Sequence, residues 1–132
     1  MNLGKFVIYL AGSFFLLYGL AFSIMPDTMS LLVTGSTPPE GSASIDFRAT
    51  YGGLQLALGL AIFYLNGIGQ TNASLFIVAL VLISMAFTRT LGFFVESSGN
   101  LYMYLFLTLE VLGSALALFA LRKLNQQVSP VT

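Results

Sequence analysis

The chain of 132 residues has no cysteine, no histidine and no tryptophan, and only 8% of it is charged. Each shortage excludes something. Without cysteine there is no disulfide and no thiolate chemistry. Without histidine, the commonest metal ligand and the commonest acid–base group at neutral pH are missing. No metal, cofactor or catalytic residue is assigned on this basis. Net charge is zero, so no basic field draws the protein to nucleic acid. The low charge says most. A soluble domain carries about 25% charged residues to cover a water-facing surface, and this chain cannot do so. With 57% hydrophobic residues and a mean hydropathy of +0.90, its solvent is a lipid bilayer.

A spanning helix needs ~20 mostly apolar residues, and four segments qualify. The first, 6–25, is closed by Pro26. The second runs from about 47 to 65 and ends at the turn-forming NGIGQTN, 66–72. The third, 73–95, and the fourth, 101–121, are joined by the short ESSGN. The sequence therefore predicts an all-α, integral membrane four-helix bundle, a single domain over 1–132. A lysine before an apolar run also describes a secretory signal. Twenty apolar residues exceed the usual core of about 7–15, so the first segment is expected to stay as a span.

Positive charge sets the threading. Lys5, Arg122 and Lys123 flank the two ends, and the 66–72 turn is uncharged. The other connections carry Asp27, Glu40, Asp46 and Glu96 against Arg48 alone. The positive-inside tendency puts both termini in the cytoplasm, with one longer outer loop over 26–44. Tyr9 and Tyr64 then fall near the inner interface, and Tyr102 and Tyr104 near the outer one. The second half of that loop, TGSTPPEGSAS, reads as irregular, and the loop is expected to roof the bundle. Asn72-Ala73-Ser74 matches a glycosylation acceptor but sits on the cytoplasmic side, where it reads as a helix start.

Small residues recur at helix-packing intervals: Gly12 and Gly19 on the first span, Gly53, Ala57 and Ala61 on the second, and Gly113 and Ala117 on the fourth. Such positions let helix backbones approach closely where lipid gives no hydrophobic drive to associate. Packing within one bundle is the expected use; contact with a second copy or another membrane subunit is the alternative.

Two charges stand inside the predicted spans. Counting at ~1.5 Å per residue, Arg89 lies ~9 Å below the outer end of its helix and Glu110 ~13.5 Å below the outer end of the next. A five-residue connection makes the two helices antiparallel neighbours. Side chains lean toward the N-terminus of their own helix, so Arg89 leans inward and Glu110 outward, which closes the ~4.5 Å offset. A charge deep in hydrocarbon costs at least ~2.5–3.5 kcal/mol, and a guanidinium fork matches a carboxylate. The two are predicted to pair. Tyr18, Tyr51, Gln55 and Thr88 lie at similar depth. Arg48, Tyr51 and Gln55, at i, i+3 and i+7, would share a helix face. The candidate site is thus Arg48, Tyr51, Gln55, Arg89, Glu110 and Tyr18, a polar layer in the outer half of the bundle.

The run DFRATYGGLQLALGLAIF, 46–63, resembles a family of small four-span bacterial membrane proteins catalogued as a domain of unknown function. The likeness rests on Asp46, Arg48, Ala49, Tyr51, Gly52 and Gly53 opening the second helix, with Arg89 and Glu110 matching an arginine late in the third helix and a glutamate in the fourth. It covers roughly 45–115. It implies the fold and a multi-pass location in the bacterial cytoplasmic (inner) membrane, and brings no activity. Small multidrug exporters, which carry an essential glutamate in the first helix, and fluoride channels, with their glycine and phenylalanine motifs, fit less well.

Four uses of the polar layer follow. It can be structural, fixing which helices pair. It can hold an anionic amphiphile or lipid, Arg48 and Arg89 on the head group, in a non-enzymatic binding or accessory protein. It can serve a small homo-oligomeric transporter with Glu110 as exchanging carboxylate. It can be a metal-free enzyme with Glu110 as acid–base, although no G-x-S-x-G turn or phosphate loop accompanies it.

Overall fold

A computed structural model describes residues 2–38, 40–96 and 99–128. Pro39 of the 26–44 loop and Ser97 and Ser98 of the 96–100 connection lie outside the described residues. Helix α1, Leu3–Ile24, begins three residues earlier than expected because Asn2 caps it, its Oδ1 accepting from the Lys5 N–H at 2.9 Å. It stops at Met25, and Pro26 opens α2, Pro26–Thr34, where a missing N–H costs nothing. Asp27 in the first turn of α2 faces the positive helix end. Gly35, at φ 83°, closes α2 by donating to the Leu31 carbonyl at 3.0 Å. The first half of the 26–44 connection is therefore a helix, burying Pro26, Ser30 and Val33. The Asn100 amide ties it to the bundle by donating to the Val33 carbonyl at 2.8 Å.

The next helical run starts at Ser42, five residues before the expected position, and is not uniform. Helix α3, Ser42–Phe47, passes into a π-helical turn, Arg48–Gly53, and then into α4, Leu54–Gly67. The backbone stays right-handed helical through both junctions, so the run is continuous. Gly69, at φ 81°, turns the chain into α5, Thr71–Glu96. The last helix, α6, is Leu101–Val128, opened by Asn100, whose Oδ1 accepts from the Met103 N–H. It passes the expected end at 121 because Leu121 and Leu124 still pack on the core, and Asn125 accepts from Asn72 at 3.0 Å.

All described elements are helical, and α1, α5 and α6 are long and apolar enough to cross a membrane. Helix α4 alone is too short. Exposed large apolar side chains ring the bundle, among them Leu17, Leu60, Phe76 and Phe119. The packed core lies toward the end that carries the termini: Val7, Ile8, Phe15, Ile62, Leu75, Val78, Ala79, Ala117 and Ala120. There Ser74 donates to the Ile62 carbonyl at 2.9 Å, pinning α5 to α4.

The α1–α4 seam is made by glycine. A Cβ on Gly19 would stand 2.6 Å from the Leu56 nitrogen, one on Gly59 2.9 Å from the Leu16 nitrogen, and one on Gly52 against Ser23. Gly12 and Gly19 thus face Gly59 and Gly52, spaced seven apart on antiparallel rods. The sequence reading chose Gly53, Ala57 and Ala61 for this face. Gly53 and Ala57 are exposed instead. Gly52 and Gly59 stand seven apart, two α turns, on one face, and Ala57 lies about 200° round the helix from Gly59.

Candidate functional site

The far half of the bundle, beneath α2, is built differently from the core. Arg89 comes from α5 and Glu110 from α6, antiparallel neighbours whose side chains lean toward one another as their Cα–Cβ directions require. The contact is bidentate. Arg89 Nη2 donates to Glu110 Oε1 at 2.7 Å, and Nε donates to Oε2 at 3.0 Å and to Oε1 at 3.2 Å. The Glu110 side chain is 5% exposed and that of Arg89 19%. Arg89 Nη1 donates to the Met103 sulfur at 3.1 Å, and the guanidinium carbon stands 5.4 Å from the centre of the Phe106 ring. A thioether is a weak acceptor, so this arm of the guanidinium is the least committed.

Around the pair lie two chambers. A groove of about 210 Å³ runs between α1 and α6 over a floor of α5. Its walls are apolar side chains from Phe6 to Phe15 on α1, Val78, Leu82 and Met85 on α5, and Leu109, Gly113 and Leu116 on α6. Leu10, Phe14, Leu109 and Leu116 are exposed, so the groove opens sideways to whatever surrounds the bundle. From Phe6 to Tyr18 it follows α1 for ~18 Å. An antechamber of about 410 Å³ lies beneath α2, lined by Val33 and Thr34 of α2, by Phe47, Thr50, Tyr51 and Leu54, and by Thr88 and Met103. Five residues line both chambers: Tyr18, Gln55, Met85, Arg89 and Phe106. They form a partition, with the ion pair at its edge.

The polar residues around the partition differ in how they are held. Tyr18 is packed among Phe14, Phe22 and Phe106, with centroids 5.5, 4.9 and 6.2 Å away. Gln55 is 9% exposed, and its Oε1 accepts no hydrogen bond. Tyr51 stacks on Phe22 at 5.3 Å and reaches Phe47 at 5.0 Å. Thr88 turns its hydroxyl back to the Ser84 and Met85 carbonyls, as threonine in an apolar helix must when no other acceptor is near.

Of the six residues assigned from sequence, the structure gathers five around the chambers: Tyr18, Tyr51, Gln55, Arg89 and Glu110. Arg48 stands apart from them. It lines neither chamber; its Nη1 donates to the Ser23 carbonyl at 2.6 Å and to that of Ile24 at 3.4 Å. The end of a helix leaves carbonyls unpaired and partly negative, and Arg48 completes the end of α1. The i, i+3, i+7 face assumed an unbroken α-helix, and the π turn breaks that phase. Met85, Met103 and Phe106 were not picked out. Their spacing to the charges, four before Arg89 and seven and four before Glu110, puts them on the charged faces. Apolar residues at those spacings look like ordinary packing in a chain this rich in them.

A family model described as a domain of unknown function, DUF4345, matches residues 3–121. The chain belongs to the DUF4345 family. No curated protein and no solved structure matches it. In this DUF4345 member the run RATYGG, which carried the resemblance read from sequence, is the π turn itself. Its parts divide the work: Arg48 closes α1, Tyr51 walls the antechamber, and Gly52 lets α1 come close.

Proposed function

We propose that this DUF4345 protein is a four-span membrane protein that binds an amphiphile, with its tail in the groove and its head group at Tyr18, Gln55 and Arg89. The fourth span is the run Ser42–Gly67, which at ~1.5 Å per residue is long enough to cross ~30 Å of hydrocarbon. Lys5, Arg122 and Lys123 share the termini end, which becomes the cytoplasmic face, and α2 lies on the outer face. The resemblance adds the bacterial inner membrane as the location. One observation carries the binding reading: an apolar groove open to the side ends on a cluster of polar groups. An acyl chain entering from the bilayer reaches that cluster without crossing a polar barrier.

Two measurements test this. The chain has no native cysteine, so single replacements report topology cleanly. An impermeant maleimide is expected to label Ser36→Cys in intact cells and Asn66→Cys only after lysis; equal labelling of both overturns the threading. Native mass spectrometry of protein released from its membrane is expected to show a bound amphiphile. Ala11→Trp, which fills the groove, should remove it while the fold is kept. Retention of the adduct in that variant overturns the binding reading.

A second reading has one observation in its favour. Glu110, a buried carboxylate, lines the groove beside the partition to the second chamber, where the exchanging site of a transporter would stand. Substrate-driven proton movement in liposomes, lost in Glu110→Gln, is its expected sign; movement that survives the change removes it.

A further inference from the structure

We infer that the head group this site takes is uncharged and donates a hydrogen bond, as an alcohol or phenol does, and is not a carboxylate or phosphate. The inference rests on the amphiphile reading above and narrows it.

Charge is the first argument. Among the described residues, Arg89 and Glu110 are the only ionised side chains that line either chamber. They sum to zero. The guanidinium spends two of its three nitrogens on the carboxylate, at 2.7 to 3.2 Å. Arg48, the other cation at this level of the sequence, is turned onto the end of α1. An anionic head would bring a second negative charge beside Glu110 with no cation left to answer it, in surroundings that screen poorly. A neutral head meets no such penalty.

The hydrogen-bond inventory is the second. Gln55 Oε1 is buried and unpaired, and a buried acceptor left unmade is costly. An ionised carboxylate has acceptors only and would set oxygen against oxygen. A hydroxyl supplies the proton that Oε1 lacks. The hydroxyl's own oxygen can accept from Tyr18, whose phenol lines the same partition, or from the arm of Arg89 now resting on a thioether. Both halves of a hydroxyl are used, and no charge is buried.

Three probes of one chain length separate the cases: dodecanol, which donates and accepts; dodecyl methyl ether, which only accepts; and dodecanoate, which is anionic. Each is added at equal membrane mole fraction to the protein in nanodiscs, and occupancy is read by native mass spectrometry. Dodecanol is expected to bind about tenfold more tightly than the ether, the usual worth of one good hydrogen bond, and more tightly than dodecanoate. In Gln55→Met, which keeps the volume and removes the acceptor, the alcohol-to-ether preference should fall to about one, with the melting temperature held or raised. Ether binding equal to alcohol, or a preference that survives Gln55→Met, overturns the assignment of the donor. Tighter binding of dodecanoate overturns the neutral head group and leaves the amphiphile reading standing. Binding of none of the three overturns both.

Discussion

Helix α1 has two sides that follow opposite rules. Against α4 it is packed backbone to backbone: at Gly19, Gly52 and Gly59 the facing backbone leaves no room for a single Cβ. Against α6 it is held off by a groove that ends on a buried ion pair. Lipid tails are as apolar as leucine, so neither arrangement follows from hydrophobicity. The glycine seam gains dispersion and close backbone contact. The open side forgoes that contact and keeps polar groups where hydrocarbon penalises them. A bundle selected for packing alone would close both sides, so the open one is where function is to be sought.

Substitutions can break this contrast at either side. The largest effect is expected from Arg89→Leu, which leaves Glu110 buried without its partner and should cost about 3–5 kcal/mol in a detergent melting assay. The double change Arg89→Leu/Glu110→Leu should recover most of that, since a buried pair replaced by apolar groups is often near neutral. Equal losses would mean that the two residues act independently. Next comes the seam. Gly19→Leu drives a side chain into the α4 backbone and should cost about 2–3 kcal/mol. Gly53→Leu, one position from the seam glycine Gly52, exposed and with no close contact for a Cβ, should change stability by less than about 0.5 kcal/mol. Similar losses at both would dismiss the Gly52–Gly59 seam. Arg48→Ala removes the bonds that close α1 and should cost about 1 kcal/mol, with no change in amphiphile occupancy because Arg48 lines neither chamber. The last effect has the opposite sign: Gln55→Leu should be neutral or stabilising by up to about 1 kcal/mol, because it deletes an unpaired buried acceptor. A clear loss there would show that Gln55 has a partner inside the bundle.

What the sequence disclosed follows the same division. The Arg89–Glu110 contact was legible because it needs only helical rise, side-chain lean and a short connection, and both helices are regular α through that region. The α1 half of the seam was legible too, as two glycines seven apart. Its partner was misread by one residue, Gly53 for Gly52, because a step between adjacent glycines turns the face by about 100°; the side chain of Arg48 was aimed at the site for a different reason. The π turn at Arg48–Gly53 shifts the phase of everything before it, and no residue pattern announces an i→i+5 turn. Helix α2 was out of reach for another reason: nine residues give too few turns for periodicity to speak. The groove could not be seen at all, because it is an absence of atoms between residues that each look like ordinary apolar lining.

The central claim is that the side of α1 facing α6 is a tail-binding groove and not merely part of the lipid-facing surface. A dodecanol analogue with a diazirine at its chain end, photolysed with the protein in nanodiscs, tests it directly. The expected label falls on groove residues such as Leu10, Leu82 and Leu109, is competed by unlabelled dodecanol, and is lost in Ala11→Trp. Label spread evenly over exposed positions such as Phe76 and Phe119, with no competition, would contradict the claim.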